Sequence, residues 1–525
     1  MKISLMWSLG TCVLAATAFA ANPLVVKTDK GKVEGALTVD QQVRAFKGIP
    51  YAAPPVGELR WQPPQPAAKW KGVREAKDFG ARCMQTSGYS DMVFHDSGES
   101  EDCLTLNVWT PVKAKGLPVM VWIYGGGFVS GGTSEARQDG QYLAHRGVVV
   151  VSMNYRLGIF GFFAHPELTA ESPNHASGNY GLMDQTAALR WVKENIAAFG
   201  GDPNNVTIFG ESAGSISVSM QMASPLAQGL FQKAIGESGG AFSLVAARPA
   251  LSGREATERT TVAFAERSFG TSKLADLRKL SADELVKAAK AKGVPSELFW
   301  PDVDGYFLPE SVRAIYAAGR QAHVPLLAGW NKDEARGEVI FARPQPTAES
   351  FRAEAEKLFG AKAEDFLKVY PAATDAEAVK SAGDLAGDRF IVYSTWRWLE
   401  SQVETGGSPV YRYRLDLGSP GDKFHPKILG AFHSDDIEYV FGTLDSRQQA
   451  VWRPEDRALS DQMQQYWTNF AKTGDPNGTG LPKWPVYNSS GDWQVMHLNA
   501  TSEAKPDDLR ARYLFLDSSW GKAKE

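Results

Sequence analysis

Two kinds of hydrophobic pattern alternate through the first half of the chain. LPVMVWI, from Leu117 to Ile123, and GVVVVSMNY, from Gly147 to Tyr155, are continuous apolar runs of strand length, without the alternation expected of a strand with one wet face. Such runs belong in a parallel sheet covered on both sides. DQTAALRWVKENIAAFGGD, Asp184 to Asp202, instead spaces Ala187, Leu189, Trp191, Val192 and Ile196 at near-helical intervals. With an Asp at its start and Gly-Gly at its end, it predicts a helix. NVTIF reads as a further buried strand and ISVSMQMA as the next helix. The order strand, helix, strand, helix predicts an α/β fold with a doubly wound, mostly parallel central sheet flanked by helices.

Beyond Ala250 the pattern becomes charged and Ala-rich, as in SADELVKAAKAKG, where Ser281 and Glu284 form a capping-box pair. These segments predict peripheral helices. Apolar strands return at VPLLAGW (Val324 to Trp330) and PVYRYRLDL (Pro409 to Leu417), so the late chain is expected to feed the same sheet. A length of 525 residues would suit about three domains. No repeat, linker or low-complexity stretch marks a boundary, and the expectation is a single domain over residues 21–525 with helical insertions.

The first twenty residues, MKISLMWSLGTCVLAATAFA, place a lysine before a short apolar run and end on the small-x-small triplet Ala18, Phe19, Ala20. This is a signal-peptide pattern, with cleavage expected before Ala21 and a periplasmic or secreted product. The run is too short for a comfortable transmembrane anchor. Cys12 lies in the middle of the signal, where a lipoprotein acceptor would not be. The remaining cysteines, Cys83 and Cys103, are then expected to form a disulfide in an oxidising compartment. A net charge of −4 without a basic run argues against nucleic acid or anionic lipid as partner and leaves a small molecule. No obligate protein partner is inferred.

The chain carries the hydrolase pattern Gly-x-Ser-x-Gly twice, as GESAG around Ser212 and GESGG around Ser238. At this glycine and serine content the bare pattern is weak, and its context decides. Ser212 follows the strand VTIF and opens a helix, the setting of a nucleophile elbow. Ser238 runs into Gly239 and Gly240 with no helix start behind it. Ser212 is therefore the expected nucleophile. Acyl transfer also needs donors aimed at a developing oxyanion. Gly125, Gly126 and Gly127, directly after a strand, and Ala213 at the helix start can supply backbone N–H groups.

These motifs and others in order along the chain resemble the type-B carboxylesterase family of the α/β-hydrolase fold, which includes the cholinesterases. The resemblance runs nearly end to end through FKGIPYAAPPVGELRW, EDCLTLNVW, YGGGF, NYRLGIFGF, GNYGLMDQ, FGGDPNNVTIFGESAGS, GWNKDE, FHSDDIEYVFG and WTNFAKTGDPN. It implies Ser212 as nucleophile, Glu334 as acid and His433 as base, in the chain order of that fold. Asp333 is the rival acid and His425, in KFHPK, the rival base; the latter reads as a solvated turn. The resemblance also implies an oxyanion hole at Gly126, Gly127 and Ala213, and the Cys83 to Cys103 disulfide. It further implies Ser238, at the end of the next strand, as a candidate support for Glu334, the alternative being a plain turn residue. The expected reaction is two-step hydrolysis of a small-molecule ester through an acyl-enzyme, with no cofactor or metal.

The resemblance has one telling departure. Cholinesterases hold a quaternary ammonium on a tryptophan of the loop closed by the first disulfide. Here CMQTSGYSDMVFHDSGESEDC has none, with Phe94 or Tyr89 as weaker substitutes, so choline esters are not the expected substrates. Phe128, Phe299, Trp300 and Trp330 are candidates for pocket walls and equally for core packing. The near alternative is a specialised hydrolase of a bulky ester, of feruloyl or toxin type, or of an amide. A non-catalytic binding relative is opposed by the intact Ser, Glu and His set.

Overall fold

The computed structural model describes residues 23–86, 88–242, 253–488 and 491–520. The predicted signal segment lies outside them. An eleven-stranded sheet forms the centre, built from β1 (Ala36–Leu37), β2 (Val43–Pro50), β3 (Thr105–Pro111), β4 (Leu117–Ile123), β5 (Val149–Met153), β6 (Gly201–Glu211), β7 (Lys233–Glu237), β8 (Leu326–Asn331), β9 (Val410–Leu415), β10 (Gln494–Leu498) and β11 (Glu503–Pro506). Their spatial order is β1-β2-β3-β5-β4-β6-β7-β8-β9-β10-β11. Every pairing from β5 across to β10 is parallel, and the outer pairings are antiparallel. The switch in strand order at β4, with β5 on one side and β6 on the other, is where an α/β sheet opens a crevice at its carboxyl ends.

The apolar runs fall where their pattern puts them. Val119 to Ile123 on β4 and Val149 to Val151 on β5 are completely buried, because helices cover the sheet. Helices α1 (Tyr180–Asn195), α2 (Ala213–Ala223), α3 (Ala282–Ala289), α4 (Tyr393–Thr405) and α5 (Pro454–Thr473) include those that position the site; α1, α2 and α5 pack against β6. At the start of α3 the capping box forms as expected: Glu284 N–H donates to Ser281 Oγ, and Ser281 N–H donates to the Glu284 carboxylate at 2.8 Å.

Helix α1 begins four residues before Asp184, which corrects the reading of that aspartate as a helix start. Asp184 is fully buried, and its two oxygens accept from Nε and Nη2 of Arg156, each at 2.7 Å. A buried carboxylate needs such a partner, and the local sequence pattern does not reveal one that lies 28 residues away.

Candidate active site

Strand β6 ends at Glu211 and α2 starts at Ala213, leaving Ser212 alone in the turn between them with φ 56° and ψ −122°. This conformation is strained for a residue with a Cβ, and the tightness of the turn explains the flanking glycines. A Cβ on Gly214 would lie 1.9 Å from the carbonyl oxygen of Ile123, at the end of β4. The second motif sits beside the first, not elsewhere in the molecule. Gly210 pairs with Gly236 and Glu211 with Glu237 in the β6–β7 ladder. Ser212 N–H donates to Glu237 O at 2.9 Å, and Ser238, also at positive φ (51°), donates from its N–H to Gly329 O on β8.

The loops after β8 and β9 bring the acid and the histidine to this turn. His433 Nε2 and Ser212 Oγ are 2.9 Å apart, and His433 Nδ1 lies 2.6 Å from Glu334 Oε2. The other Glu334 oxygen accepts from Ser238 Oγ at 2.6 Å and from Asn331 N–H at 2.7 Å. Asp333 points elsewhere: its Oδ2 accepts from Ala431 N–H and its own N–H donates to Ala431 O, so it ties down the histidine loop. His425 is not a solvated turn residue. It is mostly buried and stacks on Phe432 with centroids 4.2 Å apart, and burial lowers its pKa.

Gly126 and Gly127, at φ 105° and 62°, line the same cavity as Ser212, Ala213 and His433. No other protein group among the described residues engages the N–H groups of Gly126, Gly127 and Ala213.

Buried acid surrounds the histidine. Glu211 Oε1 lies 3.3 Å from His433 Nε2 and has no hydrogen-bond partner. Burial pushes the Glu211 carboxyl up to about 8, with Asp436 and Glu334 adding to the rise. Glu237 is raised by burial and by the charges of Asp436 and Glu211; its Oε1 accepts from Trp467 Nε1 at 2.7 Å. Asp436 is pushed up to about 6 by burial and Glu334, although Tyr413 donates to it. For His433 burial disfavours the imidazolium, but the carboxylates of Glu211 and Glu334 outweigh it and push the pKa up to about 9.

A family comparison meets this geometry across residues 22–515, which match the model described as "Carboxylesterase family". The chain belongs to that family. This carboxylesterase is 37% identical to the fumonisin B1 esterase of Sphingopyxis macrogoltabida, over 92% of its own length and 88% of that protein's. It is also 37% identical to the para-nitrobenzyl esterase of Bacillus subtilis, over 94% and 98% of the two chains. The same identity holds against the liver carboxylesterase of Sus scrofa, over 92% and 91%. The protein is a carboxylic ester hydrolase of the α/β-hydrolase fold, and family members act on small-molecule esters.

The cavity of this carboxylesterase has a volume of about 670 Å³. Of the aromatic candidates, Trp300 lines it together with Tyr89, while Phe128, Phe299 and Trp330 are core residues at 0, 2 and 2% exposure. Phe94 lies under the Arg82 guanidinium, 4.8 Å from ring centroid to Cζ, and is not among the residues lining the Ser212 cavity. Cys83 and Cys103 form a disulfide, and the loop it closes contributes Tyr89, Asp91 and Met92 to the cavity wall. Among the described residues no helix is long and apolar enough to cross a membrane. Sequence reasoning missed the buried carboxylates Glu211, Glu237 and Asp436; the glutamate repeated in both Gly-Glu-Ser motifs was the available signal.

Proposed function

We propose that Ser212, His433 and Glu334 hydrolyse esters through an acyl-enzyme. The observation that carries this reading is the continuous hydrogen-bonded chain from Ser212 Oγ through both ring nitrogens of His433 to Glu334. His433 Nε2 takes the Ser212 proton as Oγ attacks the ester carbonyl, then donates it to the departing alkoxide. Water repeats the sequence on the acyl-enzyme and returns Ser212. Glu334 holds the imidazole by Nδ1 and stabilises the imidazolium. Gly126, Gly127 and Ala213 donate their N–H groups to the oxyanion. Ser238 holds Glu334 in place and is a positioning residue.

The cavity supports an ester larger than a simple short-chain one. Trp300, Phe390, Ile391, Met92 and Val294 give it apolar walls, suited to burying most of a drug-sized ligand. One of the relatives is named as a fumonisin B1 esterase. A series of esters graded separately in acyl and alcohol size tests it: kcat/KM rises with size on at least one side, and a steady fall from acetate upward on both sides refutes the bulky-ester reading.

Export is the second part of the proposal, supported by the signal pattern of residues 1–20 and by the disulfide. The mature protein then begins near Ala21 in the periplasm or outside the cell, with residues 21–525 as its single domain.

A further inference from the structure

The wall of the active-site cavity includes one methionine, Met92. Among the described residues it is the half-buried one, since every other methionine there is at most 8% exposed. Cys83 and Cys103 are 1% exposed and bonded to each other. Among the described residues, the sulfur-bearing side chain most open to a small solute therefore lines the catalytic cavity.

Met92 also touches the turn that carries Gly126. A Cβ on that glycine would lie 3.2 Å from Met92 Cε and 2.2 Å from Ser130 O, so the methyl group, the glycine and the serine are packed together. Val129 and Ser130 both donate from their N–H groups to Gly126 O, at 3.1 and 3.0 Å. The Ser130 side chain ties this turn to Gln85. Fully buried, its hydroxyl donates to Gln85 Oε1 at 2.8 Å and lies 3.7 Å from Met92 Sδ. The same Gln85 oxygen accepts from Gly131 N–H at 3.2 Å. A thioether sulfur is a weak acceptor, so the shorter bond to Gln85 holds the hydroxyl.

Oxidation of the sulfur reverses that preference. A sulfoxide is polar and carries an acceptor oxygen that the thioether lacks, and the Ser130 hydroxyl is already beside it. Turning the hydroxyl away from Gln85 moves Ser130, whose carbonyl oxygen stands directly against Gly126. Building on the reading of Gly126 as an oxyanion donor, we propose that Met92 is an oxidation site at which a peroxide lowers turnover, by drawing Ser130 away from Gln85 and displacing the Gly126 N–H. The sulfur lone pair bonds to one peroxide oxygen and the O–O bond breaks. The proton on the transferred oxygen passes to the departing hydroxide, which leaves as water; sulfur gives up two electrons and the peroxide takes them. A methionine sulfoxide reductase with a dithiol as reductant returns the thioether, with water and a disulfide as the other products, so the change is reversible.

The test exposes the purified enzyme to graded hydrogen peroxide and follows methionine oxidation by peptide mapping beside ester turnover. The Met92 peptide should gain one oxygen before the peptides of the buried methionines. Turnover should fall in step with it by at least about 10-fold, in kcat, with a matching loss of affinity for a trifluoromethyl ketone. Treatment with both epimer-specific methionine sulfoxide reductases should restore it. Met92→Leu removes the sulfur; measured against its own unoxidised rate, it should keep most of its turnover at peroxide doses that inactivate the wild type. Loss of turnover as fast as in the wild type overturns the proposal. So do outcomes read in the wild type alone: Met92 oxidised no sooner than the buried methionines, sulfoxide formed with turnover intact, or turnover lost while Met92 remains a thioether. A loss confined to KM also overturns it, because the sulfoxide then obstructs the substrate and leaves the oxyanion donor in place. Undiminished ketone affinity in unoxidised Gly126→Ala refutes the parent reading of that glycine, whereas the peroxide outcomes refute the oxidation site alone.

Discussion

His433 Nε2 is 3.3 Å from Oε1 of Glu211, the residue immediately before Ser212. The imidazole thus stands between two carboxylates, Glu211 and Glu334, and both favour its charged form. Ester hydrolysis requires the neutral ring. The rate is expected to rise with pH through an apparent pKa above the ~6.5 of an ordinary histidine and to be lost in acid. Because Glu211 itself is raised to about 8, the profile reports the pair and not His433 alone. In Glu211→Gln one charge is gone, and the kcat/KM profile should move toward acid by about one pH unit or more. A profile that stays in place or moves toward alkali contradicts the assignment of Glu211 as a source of the rise.

Ser238 and Asn331 both donate to the Glu334 oxygen that does not face His433. Ser238→Ala removes one donor and leaves the nucleophile intact. Activity should fall roughly 10- to 100-fold, mainly in kcat, with KM little changed. Ser238→Thr restores much of it if the hydroxyl keeps its direction. A KM effect at constant kcat would place Ser238 on the substrate side instead.

A Cβ on Gly126 would lie 2.2 Å from the carbonyl oxygen of Ser130, at φ 105°. Gly126→Ala must therefore shift the peptide proposed to donate its N–H to the oxyanion. The loss in kcat should be on the order of 10²- to 10³-fold, the cost of one oxyanion donor, and affinity for a trifluoromethyl ketone should drop in parallel. Undiminished affinity for that transition-state analogue would remove Gly126 from the oxyanion hole.

The elbow was legible in the sequence because a strand, a turn and a helix are contiguous, so Ser212 could be chosen over Ser238 from its neighbours alone. Glu334 and His433 lie 122 and 221 residues further on, and nothing local distinguishes Glu334 from Asp333; only the family resemblance selected it. The structure separates the two acids by direction, Asp333 toward Ala431 and Glu334 toward His433. Asp184 was misread because its burial rests on Arg156, far off in the sequence; His425 was misread because its stacking on Phe432, within the same loop, leaves no trace in the polar, Pro-containing KFHPK. The kinship of GESAG and GESGG was visible, but its cause was not: the strands that carry them are neighbours in register.

Export and the disulfide are read together by mass spectrometry of protein recovered from its native compartment. The mature chain should begin near Ala21, and a Cys83 to Cys103 peptide should gain mass on reduction and alkylation. Retention of Lys2 would sink the export reading. Closing this loop contributes on the order of 3 kcal/mol, so Cys83→Ser with Cys103→Ser should lower stability by a comparable amount or less. KM should rise with it, because Tyr89, Asp91 and Met92 are carried on the same loop.

The most direct measurement of the central claim is active-site labelling with a fluorophosphonate followed by peptide mapping, in the wild type and in Ser212→Ala. The label should appear on the peptide bearing Ser212, whose proton His433 can take. The variant should take up none and lose ester turnover by roughly 10³-fold or more. Label on Ser238, or turnover undiminished in Ser212→Ala, would contradict the account.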